Sequence, residues 1–244
     1  MTSSKIRQNF IFSLLLLTFL VLTLTAAPWR WTMSWLFPSL DKVIYDLVPF
    51  PRLVMEHLIL VSTAGVMATA VGLAAGITVT RPWGRDLLQA VNGMASLGQT
   101  FPPVAVLAIA VPVVGFGFKP TVIALFLYGV LPVIRNTIAG IQAVDSDIPE
   151  AAAGMGMTPA QILTRVELPL AWPVILTGIR ISTIIGIGTA TLGATIGAGG
   201  LGRPIIAGLI GENPAYILEG AVLVGLFAVI VDLGLGKLEG KSSL

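Results

Sequence analysis

Long apolar runs separated by short polar segments limit this chain to a membrane fold. A bilayer core of about 30 Å is crossed by roughly 20 apolar helical residues. Six runs reach or approach that length, at about residues 10–27, 56–80, 87–114, 120–141, 173–196 and 215–236. Only 11% of the residues are charged, whereas soluble domains carry about 25%. The sequence therefore predicts an all-α integral membrane protein with six transmembrane helices.

The distribution of Lys and Arg predicts the orientation of these spans. With both termini in the cytoplasm, nine basic residues lie on the cytoplasmic side and five on the outer side. The cytoplasmic set is Lys5, Arg7, Arg81, Arg85, Arg135, Arg165, Arg180, Lys237 and Lys241, and the outer set is Arg30, Lys42, Arg52, Lys119 and Arg203. This excess favours cytoplasmic termini and a cytoplasmic loop at 150–169, although the long segment 28–55 counts weakly.

The ends of the predicted spans carry two further signals. All five tryptophans lie there, as is typical of interfacial anchors: Trp29, Trp31, Trp35, Trp83 and Trp172. The first run has an alternative interpretation as a signal peptide, because Lys5 and Arg7 precede it and Thr25-Ala26-Ala27 end it. Its length of about 18 residues exceeds the usual signal core, which favours a retained span.

Several classes of function are excluded by what the sequence lacks. There is no cysteine and only one histidine, His57, so a thiolate or His-rich metal site cannot form. No nucleophile–base–orienter set and no Walker A sequence is present. The segment 197–202 matches G-x-G-x-x-G but follows a membrane span, so we expect a tight turn there. The sequence predicts a non-enzyme without catalytic residues, metal or cofactor.

The polar segment 150–169, EAAAGMGMTPAQILTRVELP, predicts a helix–turn–helix elbow between two spans. A capping box at Asp147 and Glu150 would start a first helix, which Gly154 and Gly156 would end. Thr158 and Gln161 form a second capping box.

Leu168-Pro169 would stop the second helix before Trp172 and Pro173 begin the next span. Small residues on the exposed face would permit close approach of a partner protein. The alternative is an ordinary amphipathic loop helix that lies on the membrane.

Polar residues within the spans are the candidates for a translocation pathway. Gln99, Thr100, Pro102 and Pro103 lie near the middle of the third predicted span. Tandem prolines break the helical hydrogen-bond ladder, and carbonyls freed at that depth must face protein or water. This segment is predicted to line a pathway or act as a hinge, with a simple structural kink as the alternative.

Other polar groups in the spans are weaker candidates. Thr189 and Thr191 of span five could join the pathway, although threonines often bond the carbonyls of their own helix. Glu219, Asp232, Arg180 and His57 lie close enough to the predicted span ends to be solvated.

The pattern E-A-A-x-x-x-G, then nine residues, then V-x-L-P at 150–169 resembles the EAA loop of bacterial ABC importer permeases. Val166 stands where that family has isoleucine. Three other segments are similar to permease subunits of glycine betaine/carnitine/choline importers: GQTFPPVAVLAIAVPVVGFGFKP (98–120), ALFLYGVLPVIRNTIAGI (124–141) and GTATLGATIGAGGLG (188–202). The resemblance covers roughly residues 55–236.

This resemblance implies a type I ABC importer permease fold in the bacterial inner membrane. It implies three partners: a dimer of cytoplasmic ATP-binding subunits, a second permease subunit that is the same or homologous, and a periplasmic or lipid-anchored substrate-binding protein. The ATPase would contact Glu150, Ala151, Ala152 and Gly156. The expected domains are an N-terminal span with an outer loop (1–55), the permease core (56–236, EAA loop 147–169) and a cytoplasmic tail (237–244).

The resemblance also predicts the function, which is ATP-driven import of glycine betaine or related osmolytes such as choline and carnitine. Two alternatives stay open at this point. One is a type I permease for another small solute such as methionine, and the other is a stand-alone secondary transporter.

Overall fold

The protein is all-helical over the residues that the structure, a computed structural model, describes: the backbone of 3–242 and the side chains of 7, 9–94, 96–97 and 99–238. The α-helices are α1 Ser3–Leu24, α2 Ala27–Leu36, α3 Phe50–Thr80, α4 Leu88–Thr100, α5 Pro103–Val114, α6 Phe118–Gln142, α7 Asp147–Gly154, α8 Pro159–Ile162, α9 Leu168–Ala190, α10 Gly202–Ile210 and α11 Pro214–Ser242. Two 3₁₀ turns, Arg85–Leu87 and Thr191–Ile196, and a π-helical turn, Leu163–Glu167, complete the set.

Four helical segments in the described part of the chain are long and apolar enough to cross a membrane. They are Phe50–Thr80, Phe118–Gln142, Pro159–Ile196 and Pro214–Leu238. A fifth span exists if α1 and α2 are counted together, although the chain bends by 85° between them. Four of the six predicted spans are thus continuous helices, and the full count of six stays a prediction.

The third predicted span, 87–114, is two helices rather than one. α4 ends at Thr100, and Phe101 takes an extended conformation with φ −77° and ψ 134° before α5 begins at Pro103. The ring of Pro102 disfavours the helical conformation for the residue before it, and neither proline has an N–H to donate. The tandem prolines therefore produce the break that the sequence indicates.

The helices divide into two compact units. The first comprises the chain up to Thr63 with Pro103–Leu125 and Gly186–Gly234, and the second comprises Ala64–Pro102 and Phe126–Ile185 with the chain from Leu235. The chain passes between the units at five positions. Four of these lie inside continuous helices, and the fifth lies at the break between Pro102 and Pro103.

Two polar side chains of the first unit are fully buried, so the expectation that they are solvated is wrong. Nε2 of His57 lies 3.1 Å from the carbonyl oxygen of Ile187, and the His57 ring contacts Phe227 edge-on at 5.9 Å between centroids. Glu219 has no exposed surface, because the segment that leads into α3 covers it. Its Oε2 accepts a hydrogen bond of 2.9 Å from the backbone N–H of Tyr45.

The glycines after span five form a tight turn, as the sequence predicts. Gly197, Gly199 and Gly200 all have positive φ angles, between 77° and 88°. The N–H of Gly200 donates to Oε2 of Glu56 at 3.0 Å. A side chain at Gly199 would meet the same carboxylate, so this turn needs glycine for both conformation and space.

The second unit is held together by close packing of α3 on α6. A Cβ atom added at Gly72 would lie 2.6 Å from Cβ of Val133, and one at Gly76 would lie 2.6 Å from Cβ of Thr137. The spacing of four residues between these glycines places both on one helix face, which lets the two backbones approach. The close packing of α3 on α6 therefore depends on glycine at both positions.

Candidate functional site

The polar segment between α6 and α9 forms the elbow that its sequence predicts. α7 ends at Gly154, and Gly156 reverses the chain with a φ of 86°. Thr158 then caps α8 through a capping box in which the N–H of Gln161 donates to Oγ1 of Thr158, while the N–H of Thr158 donates to Oε1 of Gln161 at 2.8 Å. The predicted second helix start is therefore confirmed.

The predicted first capping box, at Asp147 and Glu150, is wrong. Asp147 is the first residue of α7, and Ser146 before it already has helical angles, φ −59° and ψ −28°, without a side-chain cap. A capping side chain must precede the helix in an extended conformation to reach the free N–H groups. Oδ1 of Asp145 instead accepts a hydrogen bond of 3.1 Å from the N–H of Asp147.

The predicted helix stop at Leu168-Pro169 is also wrong. α8 continues through the π-helical turn Leu163–Glu167 directly into α9, so Pro159–Ile196 is one helical segment. Within the turn the N–H of Leu168 donates to the carbonyl of Leu163, five residues earlier. The wider turn accommodates Pro169, whose missing N–H and bulky ring would distort a regular α-helical ladder.

Three of the four predicted coupling residues are exposed on the elbow. Glu150, Ala151 and Gly156 face outward, whereas Ala152 is buried and packs inside the chain itself. Apart from its two neighbours in the chain, no heavy atom of the described residues lies within 4 Å of a Cβ added at Gly156. The structure thus leaves open space beside the left-handed residue of the elbow.

Two large apolar side chains accompany these residues and are not among the residues predicted from the sequence. Ile148 is exposed, and Met155 has 77% of its surface exposed. With Ala151 they form a stripe at positions i, i+3 and i+7, the spacing of one helix face. This spacing is present in the sequence and could have indicated the stripe. We call Ile148, Ala151 and Met155 the elbow stripe.

An ion pair fastens the elbow to the end of α3. Nη1 of Arg81 donates to Oε2 of Glu167 at 2.7 Å, and the two side chains are only 19% and 14% exposed. Nη2 and Nε of Arg81 also lie within hydrogen-bonding distance of Oγ1 of Thr80. The guanidinium therefore holds the π-helical turn against the second unit's own α3.

A cavity of about 550 Å³ adjoins this ion pair. Its walls include Arg81 and Arg85 from the end of α3 and the following turn, and Glu150 and Glu167 from the elbow. The first glutamate of the elbow is thus close to basic side chains of the same unit.

The predicted pathway residues lie at the helix break and at the end of α9. Nε2 of Gln99 donates to the carbonyl of Tyr128 on α6 at 2.7 Å, and Oγ1 of Thr100 donates to Leu97 of its own helix. Thr191 likewise bonds Gly188 of its own chain segment. Gln99, Thr100 and Pro102 belong to the second unit, and Pro103, Thr189 and Thr191 to the first.

The sequence matches the family described as "Binding-protein-dependent transport system inner membrane component" over residues 68–239, more than two thirds of its length. The chain belongs to this family. This confirms that the protein is a permease of the inner membrane. It also confirms that the protein belongs to a class of transporters and not of enzymes. Membership also implies an ATPase and a substrate-binding protein as partners.

Curated relatives of the permease are subunits of osmolyte importers. The osmoprotectant import permease protein OsmY of Salmonella typhimurium is 46% identical over 72% of this chain and 75% of its own. The choline transport system permease protein OpuBB of Bacillus subtilis is 42% identical over 76% of this chain and 85% of its own. The carnitine transport permease protein OpuCB of Listeria monocytogenes is 42% identical over 75% and 84%, respectively.

Solved structures place the permease in the type I ABC importer fold. The MetNI methionine ABC transporter in an inward-facing conformation matches with a TM-score of 0.71 and 25% identity, over 78% of this chain and 94% of that chain. An amino acid ABC transporter with histidines matches with a TM-score of 0.60. The predicted fold class is confirmed, whereas the roles of the elbow and pathway residues stay predictions.

Proposed function

We propose that the permease forms the membrane pathway of an ATP-driven importer for glycine betaine or a related quaternary ammonium osmolyte such as choline or carnitine. The observation that carries this proposal is the set of curated relatives, whose printed names specify osmoprotectant, choline and carnitine transport at 42–46% identity. The elbow supports the coupling to an ATPase in this proposal, because it is a structured and exposed surface that a partner protein can contact.

Two permease subunits, identical or homologous, would line the pathway, with two ATPase subunits on the cytoplasmic side. A periplasmic or lipid-anchored binding protein would deliver the solute, and both termini of the permease would lie in the cytoplasm. Selection of the quaternary ammonium group falls mainly to the binding protein, since aromatic side chains attract such cations through cation–π interactions.

Coupling follows from the exposed face of the elbow. The elbow stripe offers apolar side chains that a groove on the ATPase can bury, in the manner of a helix that docks in a groove. Closure of the ATPase dimer on ATP would move the elbow, and the ion pair of Arg81 with Glu167 would transmit that movement to α3. Hydrolysis would return the bundle to the inward-facing state.

The break at Pro102 is the proposed hinge of this cycle, with Gln99, Thr100 and Pro103 beside it. Its support is that a break without helical hydrogen bonds can change direction at lower cost than a continuous helix. Thr189 and Thr191 are proposed to contribute to the pathway near the end of α9.

Labelled glycine betaine uptake tests the proposal in cells that lack this gene, with the wild-type gene as complement. Choline, carnitine and proline are added as competitors. We expect uptake only in complemented cells, with competition by quaternary ammonium compounds and not by proline. If the ATPase co-purifies but betaine is not taken up, the protein would still be an importer subunit, and the proposed solute would be wrong.

A methionine importer is the second candidate, because the solved structure with a TM-score of 0.71 is a methionine transporter. Labelled methionine in the same cells separates the two solutes. Uptake of methionine and not of betaine would support this alternative.

A further inference from the structure

The short helix α2 follows a membrane span at nearly a right angle. α1 has 22 residues, and the bend between its segment Asn9–Leu24 and α2 is 85°. If α1 crosses the bilayer, α2 lies along the membrane surface. Helices in that position bury one face in the region between headgroups and acyl chains. Both helices belong to the first unit, and both precede the part of the chain that the family model matches.

The inner face of α2 is fixed by the chain itself. Trp29 and Met33, one turn apart, are buried. Nε1–H of Trp29 donates to the carbonyl of Leu22 at 2.8 Å, and its ring contacts Phe50 at 6.2 Å between centroids. The expectation that Trp29 is an interfacial anchor is therefore wrong, because this indole packs inside the protein and sets the rotation of α2 about its axis.

The outer face of α2 carries two large exposed indoles. Trp31 and Trp35, also one turn apart, have 77% and 75% of their surfaces exposed. α1, which precedes α2, likewise exposes large apolar side chains, among them Leu17, Leu20 and Leu24. Indole rings combine an apolar body with one N–H donor, so they favour the membrane–water interface.

A cavity of about 530 Å³ lies beside Trp31. Arg30, Ser34 and the small residues Ala26 and Ala27 complete its walls. Arg30 is the one charged residue in α2. Among the residues that the structure describes, its guanidinium has no ion-pair partner. The cavity therefore presents a free cation and a hydroxyl next to an aromatic ring, at the level where the span ends.

We propose that α2 lies in the membrane–water interface and holds one phospholipid, whose phosphate binds Arg30 and Ser34 while Trp31 and Trp35 contact the upper acyl chains. A planar guanidinium forms paired hydrogen bonds with phosphate oxygens. A positive charge that forms no ion pair within the described part of the chain matches a phosphate rather than an ammonium group. The large apolar side chains exposed on both α1 and α2 select lipid, rather than a soluble partner, as the occupant. This site is independent of the solute that the permease transports.

Fluorescence quenching tests the position of α2. Single-tryptophan proteins that retain only Trp29, Trp31 or Trp35, with phenylalanine at the other four positions, are reconstituted in phosphatidylcholine vesicles. The lipids carry bromine either near the headgroup or deep in the acyl chains. We expect strong quenching of Trp31 and Trp35 by the shallow bromines and weak quenching of Trp29. Equal weak quenching of all three would show that protein covers the face and would overturn the proposal.

Lipid retention tests the phosphate site itself. Purified wild type, Arg30→Gln, Arg30→Lys and the control Lys42→Gln are compared by native mass spectrometry after addition of phosphatidylglycerol. We expect Arg30→Gln to lose one retained lipid per chain, and Lys42→Gln to keep it as wild type does. Arg30→Lys should retain the lipid only in part, because lysine keeps the charge without the paired hydrogen bonds. Equal retention by Arg30→Gln and wild type would refute the headgroup site, whereas a parallel loss in Lys42→Gln would reveal only non-specific charge attraction and refute it too.

Discussion

Arg81 and Glu167 are 86 positions apart in the chain and form a nearly buried ion pair of 2.7 Å at the base of the elbow. A buried pair contributes little net stability when intact, but removal of one partner leaves the other charge without compensation. The pair therefore fixes the place of the π-helical turn more than it stabilises the fold.

We expect Arg81→Met to lower the free energy of unfolding by about 1–3 kcal/mol, because Glu167 loses its charged donor. Thermal unfolding in detergent measures this. Arg85→Met, at an exposed position of the same cavity, serves as the matched control and should change stability by less than about 0.5 kcal/mol. Equal effects of the two substitutions would contradict the role of the pair.

Substitutions at Gly156 can distinguish the effect of backbone strain from the loss of contact with a partner. Asparagine and aspartate both tolerate the left-handed conformation better than other side chains, and they have the same shape. We expect Gly156→Asn to retain most uptake and Gly156→Asp to reduce it about tenfold, equivalent to about 1.4 kcal/mol of coupling, with normal membrane levels of both. Normal uptake by the aspartate variant would argue against docking at this residue.

Met155 is the more exposed of the two large side chains in the elbow stripe. Met155→Asp should weaken ATPase co-purification by about 2 kcal/mol or more, the scale of an interface hot spot. Met155→Leu keeps the apolar volume and should behave as wild type. A pull-down with tagged ATPase compares the three proteins, and undiminished recovery with the aspartate variant would exclude the stripe from the interface.

Pro102 and Pro103 keep α4 and α5 apart. Replacement of both by alanine restores two N–H donors, and proline costs about 3 kcal/mol relative to alanine inside a helix. We expect a gain in thermal stability together with a loss of uptake, because the hinge becomes a continuous helix.

Pro112→Ala is the control for that prediction, since Pro112 lies inside α5 without a break. It should leave uptake unchanged. Full uptake by the double alanine variant would show that the break is a structural kink and not a hinge.

Glu219 secures the segment before α3 through a single backbone hydrogen bond to Tyr45. Glu219→Ala removes the acceptor, and an unsatisfied buried N–H costs about 1–3 kcal/mol. We expect faster hydrogen exchange at the Tyr45 amide, measured by mass spectrometry of a peptide that contains it. Glu219→Gln retains an acceptor oxygen and should protect the amide; if alanine protects it equally, the bond is not what orders this segment.

The sequence predicts those features that depend on local chemistry. Thr158 and Gln161 form their capping box because both partners lie within one turn, and Pro102 breaks the third span because its ring acts on the residue before it. The left-handed glycines from Gly197 to Gly200 follow for the same reason.

Features that depend on contacts between residues distant in the chain could not be predicted from the sequence. His57 and Glu219 were expected in solvent, yet Phe227 and Tyr45 cover them. The stop at Pro169 was expected from the proline alone, but a wider turn five residues long absorbs it. The inward rotation of Ala152 and Trp29 similarly depends on what each helix packs against.

The π-helical turn Leu163–Glu167 also sets the phase of the elbow. An α-helix advances about 100° and 1.5 Å per residue, so one surplus residue rotates everything before it by that angle relative to α9. The rotation of α8 relative to α9 therefore depends on a single additional amino acid. Deletion of one residue from this turn would leave the elbow before it intact but rotate it by about 100° relative to α9. The exposed side chains of the elbow would then face away from the surface that they are proposed to contact.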